Sequence, residues 1–404
     1  PRSTLFPYTT LFRSTLADRS AVTVAGADGA WRVTLPALPA GGPHVLTIAA
    51  GNTVSIDDVL IGEVWICSGQ SNMNWRVANS NNRDQEVASA NYPKLRHFQI
   101  ANRVSPQPLG AFAGTWTVCS PETVANWTAV GYFFGRELAT ALDVPIGLIH
   151  TSWGGTPAEA WTSRPKLESL PECKPILDRI AEAVARWPEA KARFDEVTIP
   201  NWQKQVEAAK AEGKPAPRRP QPPLNEEHPH SPAGLYNAMI NPLIPYAIRG
   251  AIWYQGESNA GRAVQYRALF PAMIQDWRQA WGQGDFPFYF VQLANFKQPQ
   301  TDPNNTSDWA ELRDAQTMTL SLPNTGMACI IDIGEADDIH PKNKQDVGRR
   351  LALWSLAKDF GKDVVYSGPM FSGMSKAGDT IRIDFAHAGT GLNVQGEKLN
   401  GFAI

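Results

Sequence analysis

The stretch Glu63-Val64-Trp65-Ile66-Cys67-Ser68-Gly69-Gln70-Ser71-Asn72-Met73 decides how the chain is read. Its first five residues are apolar enough for a buried strand. They run straight into a small polar turn, Ser68 to Met73. A strand that ends in such a turn, ahead of a helix, is where open α/β sheets place their chemistry. Ser71 is therefore the candidate nucleophile. The alternative is a plain turn serine, so the rest of the chain must supply a base, an orienting acid and oxyanion donors.

Three more strand-and-turn units lie outward from this stretch. Residues 144–150 read as a strand ending in Thr151-Ser152-Trp153-Gly154-Gly155-Thr156-Pro157. Residues 248–254 read as a strand ending in Gln255-Gly256-Glu257-Ser258-Asn259. Residues 327–333 read as a strand leading to Glu335-Ala336-Asp337-Asp338-Ile339-His340-Pro341. Further strands are expected over 95–100, 116–119 and 286–293. Apolar spacing predicts helices over 126–142, 266–281, 309–320 and 343–359, with Pro341 suited to the start of the last. This alternation predicts an α/β domain over 61–362, with a parallel sheet covered on both faces. In such a sheet all four turns share one edge.

The flanks read differently. Short strands over 21–24, 31–35 and 44–48 suggest that 15–60 is the remnant of an N-terminal β-sandwich. Residues 363–404, with a strand at 380–385, read as the start of a truncated C-terminal one. Residues 1–14 look like the in-frame translation of a sequencing adapter and are set aside from fold reasoning, which places the native start outside the sequence. Within the α/β domain, 165–231 reads as an inserted helical hairpin followed by a Pro-rich extended linker, expected over the cleft. Residues 79–82 are expected in a loop near the site mouth.

The 404 residues suffice for two or three domains, and 43% hydrophobic with 19% charged residues is ordinary for a globular protein. A net charge of -2 offers nothing to nucleic acid or anionic lipid, and no apolar run reaches the length of a membrane span. The 14 Trp are assigned mainly to the core, with a Trp-lined sugar cleft as the alternative. Cys67, Cys119, Cys173 and Cys329 show no metal-type spacing. Cys67 and Cys329 read as small hydrophobes in buried strands. A Cys67–Cys119 disulfide is left open, as is the oligomeric state.

Acyl transfer needs the set that these turns hold. Serine is a poor nucleophile until a base takes its proton, and histidine suits that task near neutral pH. A carboxylate fixes the imidazole tautomer and stabilises the imidazolium. Amides of Gly-rich turns can approach a developing oxyanion, and a side-chain amide such as Gln255 can add a donor. His150 also ends a strand, but no spaced acid accompanies it, so it reads as a packed histidine. Glu257 reads equally as a loop-bonding acid or a site residue. One of Asp337 and Asp338 reads as a helix cap.

Four ordered blocks carry a resemblance: Gly69-Gln70-Ser71-Asn72-Met73, the run from Trp153 to Trp161, Trp253-Tyr254-Gln255-Gly256-Glu257-Ser258-Asn259, and the run from Asp338 to Gln345. With them the chain resembles the SGNH-hydrolase superfamily, and within it the sialate O-acetylesterase family of carbohydrate esterases. The resemblance implies a flavodoxin-like three-layer fold and no metal or organic cofactor. It implies Ser71 as nucleophile, His340 as base, and Asp337 as orienting acid by the D-x-x-H spacing, with Asp338 as the alternative. It implies an oxyanion hole from Ser71, Gly154 or Gly155 and a block-three side chain, where Gln255 stands nearest. Asn72, Trp153, Glu257, Arg76 and Arg262 are the substrate-binding candidates, the two arginines for a sialate carboxylate. An α/β-hydrolase elbow is rejected, because Met73 stands where its second glycine belongs.

The expected activity is removal of O-acetyl groups from sugars, sialic acids first, by a protein exported to the periplasm or medium. Acetylated xylan is the close alternative. A non-catalytic carbohydrate-binding protein is the rival from another class.

Overall fold

The computed structural model describes residues 10–394, 396–397 and 402. Residues 1–9 of the adapter-like run lie outside it, as does part of the last ten residues.

Strands β1 (Leu11–Leu16), β2 (Arg19–Val24), β3 (Gly41–Ala49) and β4 (Thr53–Ile61) form an antiparallel sheet of order β2-β1-β3-β4. Ser14 pairs with Ala21 on one side and Ile48 on the other. Residues 11–14, set aside on sequence grounds, are thus part of the sheet. Residues 31–35 are not a strand; the Trp31 ring instead stacks on Phe12, 4.4 Å between centroids. Among the described residues this flank is a single four-stranded sheet.

β4 passes into the next sheet through Gly62, whose Cβ, if present, would lie 2.0 Å from the Pro145 carbonyl oxygen. Only a residue without a side chain fits there. The second sheet holds β5 (Glu63–Gly69), β6 (Tyr92–Gln99), β7 (Trp116–Cys119), β8 (Ile146–Ser152), β9 (Gly250–Tyr254), β10 (Phe288–Val291) and β11 (Thr325–Ala328). Its order is β11-β10-β9-β5-β8-β6-β7, parallel except for β7 against β6. β5 is the first of these strands in the chain and lies in the middle of the sheet. The later strands are laid down on both sides of it, which makes its end the switch point of the topology.

Helices α1 (Ser71–Asn74), α2 (Arg83–Ala88), α3 (Ala129–Leu142), α4 (Arg164–Glu168), α5 (Lys174–Ala185), α6 (Trp187–Arg193), α7 (Ile199–Ala211), α8 (Ala263–Trp281), α9 (Asp308–Met318) and α10 (Lys344–Lys358) fill the connections. Period-2 alternation along the strands separates two covered faces. Trp65 on β5 turns to α3, meeting Phe134, and Tyr289 on β10 turns to Trp354 of α10. Trp253 on β9, level with Ser68, turns the other way onto Phe270 and Trp277 of α8. Trp65, Trp161, Trp253 and Trp277 are fully buried in the core. Each such ring removes on the order of 200 Å² from water, worth about 5 kcal/mol. α3 and α10 cross where Gly348 lies flat on Phe133; a Cβ there would meet the Phe133 Cβ at 2.6 Å.

The sequence places β11 too far along. It ends at Ala328, and Cys329 is exposed in the loop beyond. Cys67 and Cys119 are both buried and unbridged. The insertion is α4 to α7 followed by an irregular arm over 214–225. β12 (Met370–Ala377) and β13 (Thr380–Ala386) form a two-stranded hairpin at the C-terminal side. Among the described residues no helix is long and apolar enough to cross a membrane.

Candidate active site

β5, β8 and β9 end level: Gly69 pairs with Ser152 on one side and Tyr254 on the other. Gly69 has φ +137, and a Cβ there would lie 2.1 Å from the Tyr254 carbonyl oxygen, so the turn into α1 requires glycine. The Gln70 N–H donates to the same carbonyl, 2.9 Å, and the Gln70 side-chain oxygen accepts from the Ser258 N–H, 3.2 Å. Two strand ends are thereby stapled together. Buried Met73 anchors α1 from below, and its carbonyl accepts from the Thr128 hydroxyl, 2.6 Å.

Ser71 stands first in α1. Its Oγ lies 2.9 Å from Nε2 of His340, a residue 269 positions away in the chain. The imidazole is half-buried and stacks on Trp75, 5.4 Å between centroids and 14° from coplanar. Asp338 Oδ1 accepts from the His340 N–H at 2.9 Å and lies 3.6 Å from His340 Nδ1. The latter distance is too long for a hydrogen bond, so the carboxylate acts on the ring through space. Asp337, the acid favoured by spacing, is exposed and makes no contact of this kind; the acid facing the histidine is Asp338. The backbone explains the exchange: residues 335 and 338 form a β-bridge, a tight turn that aims Asp338 back along the loop and Asp337 outward. Burial draws the His340 pKa below its usual value, Asp338 pulls it back up, and Lys344 lowers it. The ring is therefore neutral, and able to accept a proton, at pH 7.

Gly154 lies against the serine, since a Cβ there would sit 3.4 Å from Ser71 Cβ. Gly155 has φ +78, which opens the turn toward solvent. Among the described residues the Ser71, Gly154 and Gly155 N–H groups donate to no backbone carbonyl. Gln255 is not among these donors. Its side chain is fully buried and turned inward, donating to Asn259 Oδ1 at 2.6 Å and accepting from the Tyr266 hydroxyl at 3.1 Å.

Several expected substrate contacts also face inward. Asn72 is buried, with its amide nitrogen on Glu257 (2.5 Å) and the Ile339 carbonyl (3.0 Å). The Glu257 carboxyl is enclosed, and burial pushes its pKa up. Trp153 packs, half-buried, against the core. Arg76 is exposed and donates to Asn126 at 3.2 Å. His150 is a packed histidine, held by Ser152 at 2.5 Å and Gln99 at 2.6 Å, and Ser152 is fully enclosed. Arg262 does border the cleft. A cavity of about 500 Å³ beside Gly155 and Ser258 is lined by Arg262, Arg179, His228 and His230. Arg262 is held by the buried Glu159 at 2.8 Å. The insertion contributes Arg179, and its return arm contributes Pro222 and Leu224.

Sequence reading missed Trp75, Arg179 and Lys344. Lys344 had a signal: it falls on the stripe of Val347, Gly348 and Leu351, all buried, where a lysine is out of place. Trp75 and Arg179 had none. Among the described residues no three His, Cys, Asp or Glu side chains gather as a metal site.

Residues 61–193 and 226–356 match the family model "Carbohydrate esterase, sialic acid-specific acetylesterase", leaving out the outer part of the insertion. The sialate O-acetylesterase of Mus musculus is 34% identical over 84% of this chain and 65% of its own length. That of Rattus norvegicus is 33% identical over 87% and 68%. The chain thus spans about two thirds of these relatives. Among solved structures, a carbohydrate acetylesterase from Xanthomonas citri superposes with a TM-score of 0.76 at 37% identity, covering 94% of this chain and 75% of that one. By these matches the chain belongs to the sialic acid-specific acetylesterase family of carbohydrate esterases.

Proposed function

We propose that this chain is a serine carbohydrate O-acetylesterase of the flavodoxin-like SGNH type, acting on O-acetylated sialic acids. The observation that carries the reading is the 2.9 Å contact of Ser71 Oγ with His340 Nε2 beside the Gly154-Gly155 turn. His340 takes the Ser71 proton as Oγ bonds to the acetyl carbonyl carbon. The carbonyl oxygen becomes an oxyanion facing the Ser71 and Gly154 or Gly155 amides, each such donor being worth about 100-fold or more in rate. The ester C–O bond then breaks, and the proton on His340 passes to the departing sugar oxygen. Water, deprotonated by His340, attacks the acetyl-enzyme, and acetate leaves with Ser71 restored. Asp338 stabilises the imidazolium in both halves.

Arg179 and Arg262 beside the cavity support a substrate that carries a carboxylate. Both already face the buried Glu159, at 3.8 and 2.8 Å, and the pair carries one positive charge more than that acid offsets, which a sugar carboxylate would meet and neutral acetylated xylan would not. The free glycine amides and the Ser71–His340 contact also weigh against a purely binding role. The test is acetate release from O-acetylated sialic acids, acetylated xylan and p-nitrophenyl acetate. Wild type is expected to favour the sialic acids, and Ser71→Ala to lose turnover on all three. Full p-nitrophenyl acetate hydrolysis by Ser71→Ala removes the catalytic reading; preference for xylan removes the sialic acid assignment.

A further inference from the structure

Behind the Ser71–His340 pair runs a buried chain of polar groups that the mechanism above does not use. Lys344, at the start of α10, has no exposed surface. Its ammonium donates to Asn72 Oδ1 at 2.6 Å and to the Pro341 carbonyl at 2.6 Å, and lies 5.5 Å from the ring centres of Trp75 and Tyr254. Asn72 in turn donates to Glu257 at 2.5 Å and to the Ile339 carbonyl at 3.0 Å. The two carbonyls held in this way, Ile339 and Pro341, flank His340. Asn72 is also the residue next to the nucleophile. One lysine and one asparagine therefore tie the histidine loop to the serine turn, across 269 residues of sequence.

A buried charge carries a large desolvation cost, so a lysine persists at such a position only with compensating partners. Here they are the carboxylate of Glu257, two oxygen acceptors and two ring faces. Asp338 and Glu335 also face the ammonium, and burial nonetheless draws it down to about 7.

We propose that Lys344 is a positioning residue for the esterase reaction, locking the His340 loop onto the Ser71 turn through Asn72 and the Pro341 carbonyl, with Glu257 as its buried counter-charge. Trp75, stacked on His340 and facing the ammonium, shares the same clamp. The inference rests on the Ser71–His340 reading.

The charged groups facing His340 are Asp338, which raises its pKa, and Lys344, which lowers it. Losing the lysine should therefore move the acid limb of the pH–rate profile upward, an effect that a purely structural residue would not produce. The experiment compares wild type, Ser71→Ala, Lys344→Met and Asn72→Ala on p-nitrophenyl acetate across pH 4 to 9, with thermal melting of each. Lys344→Met is expected to lose about 10- to 100-fold in kcat with KM within about twofold, and to shift the acid limb to higher pH. Asn72→Ala leaves both charges in place and should lose kcat by a similar factor. Unchanged kcat in a folded Lys344→Met, or a loss with an unmoved acid limb, overturns the proposal. If Lys344→Met does not fold, full kcat in Asn72→Ala overturns it. An active Ser71→Ala instead sinks the underlying catalytic reading, so the two failures are distinct.

Discussion

Two adjacent carboxylates compete for one role, and a pair of substitutions separates them. Asp338→Asn removes the charge 3.6 Å from His340 Nδ1 while keeping an oxygen for the His340 N–H. Two unit charges at that distance interact by about 1 kcal/mol in a water-like medium and about 4–5 kcal/mol at an effective dielectric of 20. The two side chains are 39% and 30% exposed, which places the contact in the lower half of that range. A stabilisation of the imidazolium by about 2 kcal/mol corresponds to roughly a 30-fold loss of kcat. Asp337→Asn, exposed and without a histidine contact, should stay within about twofold. Steady-state hydrolysis of p-nitrophenyl acetate at pH 7.5, above the range in which either variant would protonate His340, reads both. A larger loss from Asp337→Asn, or equal losses, refutes the assignment of the acid.

Two further predictions follow from the titrating histidines. His340 must be neutral to accept the Ser71 proton, and burial draws its pKa below 6.5, so the acid limb of kcat/KM should be centred below pH 6.5; a limb centred above 7 contradicts this. His150 is held down to about 3 by burial, with the Arg76 charge adding to the effect, so between about pH 6.5 and 3 the unfolded chain binds the extra proton and stability falls as pH falls. By pH 4 the loss is about 3 kcal/mol, with buried His97 acting in the same direction; urea midpoints that do not move between pH 7 and 4 would exclude it.

The α/β architecture was legible because each central strand is a short apolar run ending in a turn with its own chemistry. Ser71, Gly154 and His340 stand out on that basis, and the register of β5 with β8 and β9 brings the first two together. The errors fall where side-chain direction, not position along the chain, decides. Gln255 stands at a strand end, but its amide faces the interior, bonded to Asn259 and Tyr266. Asp337 and Asp338 differ by one residue, and only the tight turn at 335–338 chooses between them. Asn72 stands among the substrate-binding candidates and Glu257 reads equally as a loop-bonding acid; the two bond to each other inside the fold. A helix turns successive side chains about 100° apart, so the neighbour of the half-buried Ser71 points into the core. β1 was missed because a suspicious local sequence was allowed to outweigh its alternating pattern.

The nucleophile and the base hang from strands of unequal security. β5 has a neighbour on each side and its last residues are enclosed, whereas β11 is the outermost strand, bonded on one side only to β10. Openings that fray an outer strand need less free energy than those that reach the middle of a sheet. The imidazole, carried beyond the edge strand, therefore leans on the ties of its loop to Asn72 and Lys344 when the protein is warmed. Heat would silence such a protein while most of its sheet, and the serine with it, still stood.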